Sequence, residues 1–240
     1  MKPLPHILQS PLLRSVPGVY HAFPGVDPVE GRSHMERLPE VFSISPQAIG
    51  TLKQVHSAIV LAFEPGDADV HGGPKREGDA LWTAAPGTGV GIRTADCVPI
   101  LIAHREVPLV AAVHAGWRGL ASGIVRETVR VLTDRVGEGA VSGLVAAAGP
   151  CARACCYEVG GETAEALSSL SGAALRKGDK PGKWFADLQA IALSALAEAG
   201  IPSSRAEGVG PCTVCSTRFH SFRREKTLTG RQLSFINIYR

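Results

Sequence analysis

Three residues in this chain are of types that can do chemistry at strand ends: His56, Cys97 and His114. They are 41 and 17 residues apart, and each closes or opens an apolar, β-rich run ("KQVHSAIV", "TADCVPILIA", "LVAAVHAGWRG"). Two imidazoles and a thiolate suit zinc or copper, and three protein donors leave one coordination position open for water or substrate. The same residues permit a different chemistry, with Cys97 as thiolate nucleophile, His114 as its base and His56 as orienter. A buried thiol beside two hydrogen-bonded histidines is the third reading. The spacings match no compact finger pattern, and all three readings stay open on spacing alone.

The surroundings of these residues carry further signals. "HAGWRG" (114–119) reads as strand, histidine, small residues and the opening of a helix near Gly119. Backbone amides at such a start, together with Arg118, would face an anion, and Arg118 can hold phosphate or carboxylate in bidentate fashion. A basic stretch near the end contains Arg218, Arg223, Arg224, Lys226 and Arg231. It reads as a solvated turn or, with Ser221 and Thr229, as a phosphate-binding one. The other cysteines form "CARACC" (Cys151, Cys155, Cys156) and "CTVC" (Cys212, Cys215). Two such groups can make a structural zinc site or a redox pair, although C-x3-CC is not a standard ligand spacing. The C-x-x-C lies in an apparent strand, where a thioredoxin-like pair would open a helix.

Strands and loops must place these groups. Residues 1–46 are rich in Pro, Gly and turn formers, with at most one short helix around 33–38. Residues 51–63 read as two short strands or one bent strand, and 64–79 as a polar loop. "DALWTA", "GVGIRT", "VPILIA" and "PLVAAVHA" follow as strands, several of them continuously apolar, as strands covered on both faces are. A helix is expected over 119–136, with Leu120, Ile124, Thr128, Val131 and Leu132 at helical spacing and Gly137 as its stop. Further elements are a strand over 141–149, a helix over 161–170, and a helix from an Asp187 cap to Ala199. The chain then ends as strand, basic turn, strand. About nine strands and three or four helices without regular alternation indicate an α+β fold with mixed sheets in a single domain spanning 1–240.

Composition sets limits on function. Of 240 residues, 45% are hydrophobic and 20% charged, ordinary for a globular chain able to bury a core. A net charge of +3 is too small for a dedicated nucleic-acid binder, and 5% aromatic residues offer few stacking platforms. No apolar run is long enough to span a membrane, and the proline-broken start lacks the apolar region of a signal peptide. A cytoplasmic address is expected, with thiols that are free, metal-bound or catalytic rather than paired.

The motifs "KQVHSAIV", "DALWT", "TADCVPILIA", "AVHAGWRG", "GPCARACCYEVG", "KWFADLQAIALSALAEAGI", "CTVC" and "FHSFRREKTLTGR" occur in a telling order. Across about residues 48–235 the chain resembles the laccase-domain family, also called polyphenol-oxidase-like or YfiH-type. The resemblance implies a zinc or copper site on His56, Cys97 and His114. It implies a four-layer α/β/β/α arrangement of mixed sheets, related to the catalytic domain of cytotoxic necrotizing toxins. It also implies action on purine nucleosides: phosphorolysis of adenosine, inosine, guanosine and methylthioadenosine, and deamination of adenosine. One stretch departs from the family. Where relatives carry a "TR-x-GG-V-S" stretch after "HAF", this chain has the shorter, proline-rich "HAFPGVDPVEGRSHMERLPE" within its atypical segment 1–47.

The expected function is a metal-dependent purine nucleoside phosphorylase and adenosine deaminase, with zinc as cofactor and copper as the alternative. Its partners are then a purine nucleoside and phosphate, with neither nucleic acid nor membrane. Deamination needs a carboxylate near the metal as proton carrier, and Asp96 and Asp79 are the candidates for it. Arg118, Gln54, Arg223 and Arg231 form the expected substrate- and phosphate-binding set. The lack of a nucleotide-binding glycine loop predicts no NAD or ATP. Two rivals remain. One is a Cys/His amide hydrolase, such as an enzyme editing peptidoglycan precursors. The other is copper-dependent oxidation of phenols, for which eight histidines in all are few.

Overall fold

A computed structural model describes residues 6–27, 34–67, 76–137, 139–226 and 230–239. Two sheets lie face to face. The larger has six strands in the order β13 (Ala206–Gly208), β9 (Leu144–Ala148), β7 (Val98–His104), β8 (Val110–Ala115), β5 (Ala80–Thr83) and β4 (Val60–Ala62). The second has five: β1 (Ile7–Leu8), β2 (Val19–Pro24), β14 (Gln232–Ile238), β6 (Gly89–Thr94) and β3 (Ile49–Gly50). Pairing is mixed: β7 is antiparallel to both neighbours, while β13, β4 and β3 pair in parallel at or near edges. A small sheet of β10 (Glu158–Gly160), β12 (Lys183–Ala186) and β11 (Leu175–Lys177) stands apart.

The period-2 alternation of strand side chains explains why the central strands are apolar throughout. On β7, Val98, Ile100 and Ile102 face the helices, while Leu101 and Ala103 face the second sheet. β8 splits the same way, with Ala111, Val113 and Ala115 toward the helices and Val110 and Ala112 toward the sheet. All residues of β7, β8 and β9 are buried. The helical layer is α3 (Trp117–Ala121), α4 (Ile124–Val136), α5 (Gly161–Ser171) and α6 (Leu188–Glu198). On the far side, α2 (His34–Phe42) covers the five-stranded sheet through Leu38, against Ile49, Leu233 and Phe235. The layers therefore run α/β/β/α, as the resemblance implied.

Several sequence expectations change in detail. The helix read over 119–136 is two, α3 and α4, because Gly123 adopts φ +80 and breaks the ladder between them. Gly137 does end α4, donating its N–H to Thr133 O at 2.8 Å. Asp187 caps α6, its Oδ1 accepting from Ala190 N at 3.0 Å. The strand expected around 217–222 is absent; a one-turn helix, α7 (Phe222–Glu225), takes its place, capped by Ser221. Residues 212–215 form a turn, not a strand. Among the described residues no helix is long and apolar enough to cross a membrane.

Candidate metal centre and its cleft

His114 is placed by β8, whose register sets it opposite Pro99 of β7. Cys97 immediately precedes β7. His56 comes from the loop between β3 and β4, not from a strand end, and holds φ +62. One ligand atom from each of the three lies within 4.8 Å of the others, and Cys97 Sγ is 3.9 Å from His56 Nε2.

Asp79 explains this convergence. It is fully buried, and its carboxylate accepts from the backbone N–H of Val55, His56 and Ser57 and from Ser57 Oγ at 2.6–3.2 Å. These bonds fold the 55–57 loop and hold His56 in its left-handed backbone, a conformation that costs a non-glycine residue about 1–3 kcal/mol. The same carboxylate stands 2.7 Å from His114 Nδ1. With Nδ1 engaged, Nε2 is the nitrogen left for a ligand, and the ring orientation is fixed. Asp79 thus sits behind the histidines and does not line the cleft, where a proton carrier would have to be. The carboxyl is held well below the usual carboxylate range: burial opposes ionisation, but His114 and Ser57 outweigh it.

Asp96 does line the cleft, yet it too is engaged. At φ +90 its backbone is strained, and its two oxygens accept from Thr213 Oγ1 and Arg223 N, both at 2.7 Å. It fastens the C-terminal loops to the residue beside Cys97. Gly116, which caps α3, shows how tightly the group is packed. A Cβ there would meet His56 Cδ2 at 2.9 Å and Cys97 Sγ at 3.0 Å.

Burial disfavours the Cys97 thiolate, but the two imidazoles outweigh it and bring its pKa down to about 6. Burial likewise opposes the charged form of His114, while Asp79 and Cys97 raise its pKa to about 9. The donors are therefore an anionic sulfur and two oriented imidazoles in a cramped pocket. The donor set fits zinc or copper, either of which would be held by His56, Cys97 and His114.

That cleft has a volume of about 700 Å³ and is rimmed by Arg93, Arg118, Arg223, Lys226 and Arg231. Arg118 is exposed, and its guanidinium lies 4.4 Å over the Trp117 ring. The helix start expected to help it hold an anion is only five residues long and opens at Trp117 rather than Gly119. Arg223 stacks over Tyr157 at 4.9 Å and donates to Glu158 O at 2.9 Å. Arg231 lies over Phe222 at 5.9 Å. Gln54 lines the cleft, but both ends of its amide bond the backbone of Arg93, at 2.7 and 2.8 Å. Of the basic stretch, Arg224 turns away to bind backbone carbonyls, and Ser221 is a buried helix cap. Thr229 lies outside the described residues. Arg93, Tyr157 and Trp117 also line the cleft, and no local sequence signal marks them as cleft residues. Only a fold that brings the 93–97, 117 and 157 regions together makes them neighbours.

Comparison with known proteins identifies the family of the chain. Residues 25–239 match the family described as multi-copper polyphenol oxidoreductase laccase. The chain belongs to that family. A purine nucleoside phosphorylase of Aquifex aeolicus is 42% identical over 154 residues, 64% of this chain and 68% of that protein. A protein named adenosine deaminase RL5, from an unidentified prokaryote, is 34% identical over 198 residues, 78% of this chain and 73% of its own. The crystal structure of YlmD from Geobacillus stearothermophilus superposes with a TM-score of 0.87 at 26% identity, covering 96% of this chain and 94% of that one. The laccase-family description speaks of several coppers. Among the described residues two clusters gather closely enough to hold an ion, and only the one at His56, Cys97 and His114 contains histidine.

Proposed function

We propose that this laccase-family chain is a metal-dependent purine nucleoside phosphorylase that also deaminates adenosine. The observation that carries the reading is the three-donor cluster of His56, Cys97 and His114 opening into a cleft rimmed by arginines. The names of the Aquifex phosphorylase and of adenosine deaminase RL5 support both activities. The metal, zinc in our reading and copper as the alternative, supplies Lewis acidity at the floor of the cleft when bound.

The chain's own residues do the rest. His56, Cys97 and His114 hold the ion, and Asp79 orients His114 and the His56 loop. Arg118, with Arg223 and Arg231, binds phosphate and sets it against C1′ of the ribose. Phosphate oxygen forms the new bond to C1′, the bond from C1′ to the purine nitrogen breaks, and the purine leaves with a proton from solvent. Ribose 1-phosphate and free base are the products. Fixing phosphate and nucleoside side by side removes much of the entropic cost of their encounter. Tyr157 offers a flat wall, and burial pushes its phenol up to about 12, so it stays neutral as a stacking and hydrogen-bonding surface. In deamination, water replaces the amino group at C6 and ammonia leaves. Asp96 is the cleft carboxylate nearest in sequence to the donors, and its oxygens are already engaged.

The test is product analysis with zinc-loaded protein. Adenosine with phosphate should give adenine and ribose 1-phosphate, and slower inosine formation should occur with or without phosphate. If no purine nucleoside is consumed, the proposal fails. One observation favours a second reading: the depressed Cys97 pKa beside His114 suits a thiolate nucleophile of an amide hydrolase. That enzyme would keep its activity after chelation and form a covalent adduct on Cys97; the phosphorylase would do neither.

A further inference from the structure

The loop after β9 and the loop after β13 bring four thiols together about which the proposed reaction says nothing. Sγ atoms of Cys155, Cys156, Cys212 and Cys215 all lie within 4.8 Å of one another. Cys215 Sγ is 3.0 Å from Cys156 Sγ and 3.4 Å from Cys155 Sγ. Four sulfurs bonded to one zinc at about 2.3 Å would be ~3.8 Å apart, within the spread seen here.

The backbone is built to present them. An isolated parallel bridge joins Cys151 to Cys212, and Thr213 N donates to Cys151 O at 3.0 Å. Residues 212–215 close as a turn, with Ser216 N donating to Cys212 O at 3.1 Å. Within it the backbone N–H groups of Val214 and Cys215 point at Cys212 Sγ, and Arg153 N donates to the same sulfur at 3.4 Å. Three backbone N–H groups thus converge on that one sulfur. The guanidinium of Arg224 donates to the carbonyls of Thr213, Val214, Ser216 and Phe219 at 2.7–3.2 Å, fixing the turn from behind. On the other loop, Arg153 Nε bonds both oxygens of Asp187 at 2.7 and 2.8 Å, anchoring it to the start of α6. Adjacent cysteines in a strand would point to opposite faces. Cys155 and Cys156 lie in a turn closed by Cys156 N to Arg153 O at 3.0 Å, and there both reach one point.

Packing gives no reason for the group, since Cys155 and Cys215 are exposed. We infer that Cys155, Cys156, Cys212 and Cys215 form a closed tetrahedral site for a structural zinc ion, separate from the centre at His56, Cys97 and His114. Binding Zn²⁺ releases the four thiol protons to solvent and leaves a doubly negative core. With four sulfur donors no position remains for substrate. The ion's role is to clamp two loops that line or support the cleft. Thr213 of one loop bonds Asp96, and Tyr157 follows the other.

The experiment uses the full chain carrying Cys97→Ala, so that metal on the first centre does not contribute. Purified without added metal, it should retain about one zinc per chain by mass spectrometry of the digested protein. Adding Cys215→Ser should remove it. Should that double variant fail to fold, the wild-type protein answers the same question. In the zinc-loaded native state, Cys155 and Cys215 should resist N-ethylmaleimide despite their exposure, and should react once a strong chelator is present. Two results would overturn the inference. One is Cys97→Ala protein with no zinc and freely alkylated Cys155 and Cys215. The other is a disulfide among the four cysteines in protein purified under reducing conditions.

Discussion

His56, Cys97 and His114 meet at the ends of two central strands of a buried sheet, whereas Cys155, Cys156, Cys212 and Cys215 meet on two surface turns. The first cluster has three donors, a buried carboxylate behind them and a cleft in front. The second has four sulfurs and, around them, backbone N–H donors and arginines that hold the turns. Donor count and surroundings separate the roles. Three oriented donors with an open side suit a reaction; four equivalent donors with none suit a clamp. The strain follows the same division. His56 of the first cluster and Asp96 beside Cys97 both have positive φ, and no residue of the second cluster does.

The strongest way to break the contrast is Cys97→Ser. It should take nucleoside turnover to background while about one zinc per chain remains on the four cysteines. Paired metal content and turnover decide it. If the variant retains turnover, the first cluster is not the reaction centre. If it loses all zinc, the two clusters are not independent.

Asp79→Asn comes next. It keeps the size of the side chain but removes the charge facing His114 Nδ1. Loss of such a carboxylate partner costs about 10–100-fold in metal affinity. Competition with a coloured chelator should show that weakening at one equivalent only. An unchanged affinity would mean that Asp79 merely folds the 55–57 loop.

Arg118→Ala tests the cleft rather than the metal. One charge-assisted contact to phosphate is worth about 1.5–3 kcal/mol. Phosphorolysis should therefore need roughly 10–100-fold more phosphate, with zinc content and inosine formation little changed. Equal loss of both reactions would make Arg118 a structural residue stacked on Trp117.

How much of this was legible in the sequence depends on the distance over which each feature is encoded. Strands β7, β8 and β9 announce themselves as short apolar runs, and α6 as periodic residues behind Asp187, because both signals are local. Arg118 is legible as a neighbour of the cleft because it follows His114 by only four positions. Asp79 stands beside Asp96 as a candidate proton carrier because the sequence, in which it lies 23 residues from His56 and 35 from His114, gives no sign of the side from which it approaches them. Its four backbone and hydroxyl partners sit on a loop more than twenty residues earlier. The break at Gly123 was hidden because the apolar spacing of α3 and α4 stays in phase across it. The cysteine clusters 151–156 and 212–215 are 59 to 60 residues apart where they touch, and no periodicity signals such a meeting.

The last expectation concerns the two clusters stripped of metal, where only the electrostatics of the chain distinguish them. Around Cys97, burial alone would hold the proton on sulfur, and two imidazoles reverse that, giving a pKa of about 6. At Cys155 burial and the neighbouring thiols push ionisation up, and at Cys215 the bond from Cys156 does the same. The sign is then fixed: Cys97 is a thiol below about pH 6 and a thiolate above it, while Cys155 and Cys215 ionise above the ordinary thiol range. Alkylation of Cys97 in metal-free protein should rise with a midpoint near 6, against about 8.5 for an unperturbed cysteine. The gain in rate is small. At pH 7 Cys97 has roughly 30-fold more thiolate than an ordinary cysteine, but the lower basicity costs about tenfold in nucleophilicity, leaving a few-fold advantage. The midpoint, rather than the rate, is therefore the quantity to measure, by mass spectrometry of each labelled peptide across pH. His114→Ala should move the Cys97 midpoint upward and leave those of Cys155 and Cys215 where they are. A Cys97 midpoint between 8 and 9 in the wild-type protein would mean that the imidazoles do not control the sulfur, and the electrostatic half of the contrast would fall.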